Sequence, residues 1–192
     1  MIKVTETAAV EIKRLWEKQG KPEFKWKLLN SVKEGDYAII NRASLLFPRN
    51  APKLTSYYPE LRNNRKPCKL PVAMGDDLAF ILGALVSEGN VGKDHIGFCN
   101  SDPVFIKKFK TSFKKVFPDC RLHEFVRMPV GYTKKSYTSL EIHSHHVLEF
   151  LSNLGLAPSK AKGKSVPEII FLSPKRAICS FLKGYAEGDG SV

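Results

Sequence analysis

The sequence predicts an α+β fold. Two observations carry that expectation: beyond residue 70, helical spacing alternates with two-residue strand spacing, and the first and last helices of that region carry the same registered segment. The 192 residues are 43% hydrophobic and 26% charged, which permits a buried core and excludes wholesale disorder. Lys and Arg number 31 against 19 Asp and Glu, a net charge of +12, and a surplus that large points to an anionic partner. The longest uncharged apolar run, Leu78 to Val86, has 9 residues, against the ~20 that a bilayer span needs, so no membrane helix is expected. No apolar stretch of the secretory kind follows Met1, so the chain reads as cytoplasmic (intracellular).

Three segments are expected. In residues 1–47, Lys3-Val4-Thr5 fits a strand, and Ala8 to Lys18, closed by Gly20, tilts toward a short helix. Trp26–Leu29 and Tyr37–Ile40 read as strands joined by a Gly35-containing turn, so this part is β-rich. Residues 48–70 carry Pro48, Pro52, Pro59 and Pro67 with no apolar period and read as a linker or a long ordered loop. Residues 71–192 form the main domain. Leu78–Glu88 is an apolar helix stopped by Gly89, and Ile96–Asn100 is a short strand. Asp102-Pro103 is an N-cap followed by proline at the first helical position. Val104, Phe105, Phe109, Phe113, Val116 and Phe117 then recur at helical spacing, with lysines between them on a solvated face. Arg121–Met128 and Tyr137–His143 alternate as two strands around a turn; His146–Leu154 is a helix stopped by Gly155. Pro167–Leu172 is a short helical turn, and Ser173-Pro174 opens the last helix.

The cysteines, at 68, 99, 120 and 179, form no CxxC and read as reduced, mostly buried thiols. His143-x-His145-His146 lacks a spaced carboxylate or cysteine to complete a metal site.

The most informative feature is the internal repeat. Phe80–Val91 aligns without gaps on Phe181–Val192 at a constant offset of 101, with a glycine five residues before an acid in each copy. A glycine inside a helix costs ~1 kcal/mol against alanine, so it calls for a reason, and close approach of two helix backbones is one. That reading makes Gly83 and Gly184 helix-packing residues. Gly89 and Gly190 suit the left-handed position that ends a helix. Glu88 and Asp189 then fall in last turns, where the helix dipole disfavours a carboxylate by ~0.3–1 kcal/mol. Two packed helices with acids at equivalent ends bring two carboxylates together, and a divalent cation resolves the repulsion.

Gly83-Ala84-Leu85-Val86-Ser87-Glu88-Gly89 and Gly184-Tyr185-Ala186-Glu187-Gly188-Asp189-Gly190 resemble the paired motifs of the LAGLIDADG (dodecapeptide) homing endonucleases. The resemblance covers about residues 71–192 and implies an αββαββα half-domain followed by the second motif helix. It implies a site-specific, metal-dependent double-strand cut in DNA. Glu88 and Asp189 would be catalytic and would hold Mg²⁺ or another divalent cation. Lys164-Ser165-Val166-Pro167 is similar to the stretch that carries the family's active-site lysine, which makes Lys164 the third catalytic residue, supporting charge on the phosphate or polarising the water. Phe24–Leu29 with Val32–Tyr37 resembles intein sequence, so residues 1–47 would be a partial, Hint-like splicing segment. Ala8 stands where that family has His, and the terminal splicing residues are missing, so splicing by this chain alone is not implied. Single-chain members of the endonuclease family have a second half after the second motif. The pseudo-dimer partner half is therefore expected to be missing from this chain.

Between Val91 and Lys183 there are 16 basic and 7 acidic residues, and two-residue periodicity sorts them. Arg121, His123, Phe125 and Arg127 share one face; Tyr137, Ser139, Glu141 and His143 share another, opposite Leu140 and Ile142. Such a face suits base edges in a major groove of double-stranded DNA, with Lys134 and Lys135 in the joining turn for phosphates. The expected DNA-binding set is Arg121, His123, Arg127, Lys134, Lys135, Tyr137, Ser139 and His143. The alternatives are a non-catalytic DNA-binding remnant and part of a protein-splicing element.

Overall fold

The computed structural model describes Arg14 and residues 47–61, 66–92, 94–128, 136–156 and 163–189. The chain separates into two compact units, 1–46 and 47–192. Of the elements expected before residue 47 only Arg14 is described, and it is helical; the rest lies outside the described residues, as do Lys134, Lys135 and Gly190.

Unit two is α+β, with the order α1 (Asp76–Glu88), β1 (Gly89–Val91), β2 (Ile96–Asn100), α2 (Pro103–Val116), β3 (Leu122–Arg127), β4 (Tyr137–Ile142), α3 (His145–Asn153), α4 (Glu168–Phe171), α5 (Lys175–Asp189). The four strands form one antiparallel sheet in the order β1-β2-β4-β3. Strand β1 is not read from the sequence: three residues beginning Gly-Asn show neither alternation nor β-branching until Val91.

The sheet buries one face against the helices. Ile96, Phe98, Leu140 and Ile142 are nearly free of solvent contact and join one buried core with the phenylalanines of α2. Phe98 stacks on Phe109 with ring centroids 4.2 Å apart and meets Phe105 edge-on at 5.1 Å. Phe80 of α1 reaches Phe105 at 5.9 Å, and Phe117 reaches Phe150 of α3 at 6.2 Å. The Asp102 cap holds as expected, its carboxylate accepting from the Val104 N–H at 2.8 Å with Pro103 at the first helical position. Val104 itself is a correction: it is 73% exposed, because the second residue of α2 points away from the sheet.

Residues 48–70, where described, run as coil with a 3₁₀ turn at Thr55–Tyr57 and a bridge from Lys53 to Ala73, and Leu54 and Leu70 join the core of unit two. Leu54 is fully buried, its N–H bonded to the Val72 carbonyl at 2.8 Å, and Met74 bonds back to Pro52 at 3.1 Å. Prolines remove donors and periodicity, so single anchors hold the segment: Tyr58 donates to the Leu70 carbonyl at 3.2 Å, and the Cys68 N–H to His146 Nδ1 at 3.1 Å. The cysteines are less buried than expected; Cys68, Cys99 and Cys120 are half-buried and Cys179 is exposed. Burial, with Cys68 alongside, pushes the Cys120 thiol up to about 12.

Candidate functional site

The repeat becomes a helix pair. A Cβ on Gly83 would collide with the Phe181 carbonyl and lie 2.9 Å from the Tyr185 nitrogen. A Cβ on Gly184 would collide with the Phe80 carbonyl and lie 3.0 Å from the Ala84 nitrogen. Phe181 and Tyr185 are the repeat partners of Phe80 and Ala84, so α1 and α5 meet reciprocally, as the two sides of a two-fold contact do. The contact runs to the helix ends, where Gly188 faces its own partner Ser87 and would place a Cβ 2.8 Å from the Glu88 Cγ. Glu88 and Asp189 are the next residues along each helix.

Gly89 corrects the expected helix end. Its φ is −78° and ψ 148°, extended rather than left-handed, because the chain passes straight from α1 into β1. Glycine is needed there for space: a Cβ would meet the Leu85 backbone, with Leu85 Cα at 2.7 Å.

Lys164 is the residue whose placement the sequence could not supply. It comes from the coil before α4, and its Nζ donates to the carbonyls of Leu85 at 3.4 Å, Ser87 at 3.2 Å and Gly89 at 2.5 Å. An ammonium has three N–H groups, and all three serve the C-terminal end of α1. Lys164 thus braces the helix end that carries Glu88.

The electrostatics follow from this crowding. Burial pushes the Glu88 carboxyl above the usual carboxylate range, the Asp189 charge adds to it, and Lys164 opposes it. Burial lowers Lys164, while Asp189 and Glu88 hold it up. With its native value raised, Glu88 keeps its proton longer when folded. That stabilisation is full below the ordinary value of 4.5 and is lost as pH rises through the raised one. Glu88→Gln is therefore expected to melt higher than wild type at neutral pH without divalent cation. The difference should close in acid, and melts across that pH range check it.

The two carboxylates are hard oxygen donors at two negative helix ends, which fits Mg²⁺ or Ca²⁺ chemistry. Among the described residues no group of three or more His, Cys, Asp or Glu side chains is placed to hold a metal. A cation at Glu88 and Asp189 would complete its shell with water or phosphate oxygens.

On the outer sheet face, register brings together most of the expected DNA-binding set. His123 pairs with Glu141, Phe125 with Ser139 and Arg127 with Tyr137. Glu124 points the other way and bonds Lys110 of α2 at 2.5 Å. Arg127 reaches Glu141 Oε1 at 3.4 Å and lies 5.2 Å from the Phe125 ring. Ser139 is buried, 5% exposed, and its hydroxyl accepts from the Cys99 thiol at 3.5 Å. His95, unforeseen in the sequence, joins this face beside His143. His146 is buried and accepts from Cys68, which removes it from any histidine cluster.

No protein-family model matches the chain. It is similar to a replication factor C small subunit of Thermococcus kodakarensis, 28% identical over 73% of this chain and 18% of that one. A DNA gyrase subunit of Mycolicibacterium flavescens is 27% identical over 98% and 30%. An A-type ATP synthase subunit of Pyrococcus abyssi is 25% identical over 88% and 15%. The chain thus spans less than a third of the length of each of these relatives. No helix among the described residues is long and apolar enough to cross a membrane.

Proposed function

We propose that this chain is the DNA-cleaving part of an inserted genetic element: a site-specific, divalent-cation-dependent endonuclease of the LAGLIDADG type. The observation that carries the reading is the reciprocal glycine contact of α1 and α5, which sets Glu88 and Asp189 at equivalent ends of two mated helices. The relatives add a second support. Replication factor C, DNA gyrase and an ATP synthase share no activity by name, yet each is similar to most of this chain, as a minor part of its own length. A segment common to such different proteins belongs to none of their activities and is understood as an insertion.

In this reading the sheet face holds duplex DNA through Arg121, His123, Arg127, Tyr137 and His143, with Lys134 and Lys135 nearby in sequence. Glu88 and Asp189 hold the cation, Mg²⁺ or a substitute. When bound, it stabilises the leaving oxygen and activates a water for in-line attack on phosphorus. Lys164 fixes the α1 end and offsets the repulsion of the two acids. Duplex binding should weaken steeply with salt, with a log–log slope of roughly −0.9 per phosphate neutralised. A flat response, together with no cation-dependent cut in a randomised duplex library, would overturn the reading.

A further inference from the structure

Three imidazoles gather at one end of the outer sheet face. His95 precedes β2, His123 lies in β3 and His143 follows β4. The His143 ring centroid is 5.7 Å from that of His95 and 5.1 Å from that of His123. The carboxylate beside them is Glu141, opposite His123 in register, with Oε2 3.2 Å from His143 Nε2 and Oε1 engaged by Arg127. The other charged or titratable groups described on these elements are exposed Asp94 before His95, half-buried Cys99 on β2 against Ser139, exposed Arg121 before β3, and Tyr137 at the far end of β4. The helices pack on the opposite face, where Glu124 is taken by Lys110.

We propose that His95, His123 and His143 form a proton-linked phosphate contact, so that DNA binding by this face takes up protons. The proposal rests on the DNA-binding reading above and adds its pH dependence. The three rings lie beside a single carboxylate, Glu141, which Arg127 already engages. A backbone phosphate among the rings supplies the missing negative charge and accepts their N–H groups. Binding and protonation then favour each other, and the coupling is reciprocal. Imidazole is the side chain that makes such coupling felt between pH 5 and 8.

Calorimetry tests this with a random-sequence 20-base-pair duplex at about pH 6.5, in two buffers of different ionisation enthalpy. The wild-type chain should take up between about one and three protons, and log affinity should fall by about one per pH unit for each proton. The triple variant His95→Gln, His123→Gln, His143→Gln should lose that uptake, and His143→Gln alone, a milder change, should lose part of it. His145→Gln, outside the trio, should leave it unchanged. Wild-type binding with no proton uptake, or uptake undiminished in both variants, overturns the proposal while leaving the DNA reading intact. No duplex binding at either end of the pH range overturns both.

Discussion

Leucine in place of Gly83 is expected to lower the melting temperature by roughly 2–12 °C, from an overpacking cost of ~1–3 kcal/mol in a domain of this size. The sign is the informative part. In a free-standing helix, removing an interior glycine stabilises by ~1 kcal/mol. At Gly83 the first added atom meets the backbone of Phe181, which cannot rotate aside as a side-chain tip can. Relief requires α1 and α5 to separate, and Phe80, Phe181 and Leu82 are buried where they pack. Gly83→Ala and Gly184→Ala should also destabilise, by less. Gly75, whose Cβ position has nothing within 4 Å, is the control for crowding: alanine there should lose only the modest preference for glycine over alanine at the N-cap of α1. A melt raised by Gly83→Ala would mean that the helices do not cross backbone to backbone.

Glu88→Gln and Asp189→Asn are each expected to abolish cation-dependent cleavage. Losing a partner that merely orients a ligand costs 10–100-fold, so losing the ligand itself should cost more than about 100-fold. Duplex binding should survive, because the sheet face is untouched. Lys164→Ala should behave differently. It removes three donors from the Leu85, Ser87 and Gly89 carbonyls, so cleavage and melting temperature should fall together. The cation should still bind, since an ammonium is not a ligand. Cleavage and melting curves on the same three variants separate the acids from the lysine.

Much of this site was legible because its signals are local. Glycine five residues before an acid, twice at one offset, is a pattern that only packing explains, and the helix pair follows from it. The α2 cap and the inward Leu140 and Ile142 were legible for the same reason: capping and two-residue alternation need no knowledge of partners. What escaped depends on register or on long-range placement. His95 reaches the outer face only because Ile96 pairs with Ile142, which sets His95 beside His143. Ser139 shares a face with Tyr137 and Glu141 by periodicity, yet it is buried on a middle strand, between Cys99 and Phe125 in register. Lys164 was located by its neighbourhood in sequence, while its three carbonyl partners lie 75 to 79 residues away.

The central claim is that two mated helix ends make one cation site. A titration of the protein with Mn²⁺, read by electron paramagnetic resonance, tests it most directly in wild type, Glu88→Gln and Asp189→Asn. The account predicts bound Mn²⁺ in wild type, displaced by Mg²⁺, with binding lost or sharply weakened in each variant because both carboxylates are required. Binding that is undiminished in either variant would contradict a shared site at Glu88 and Asp189.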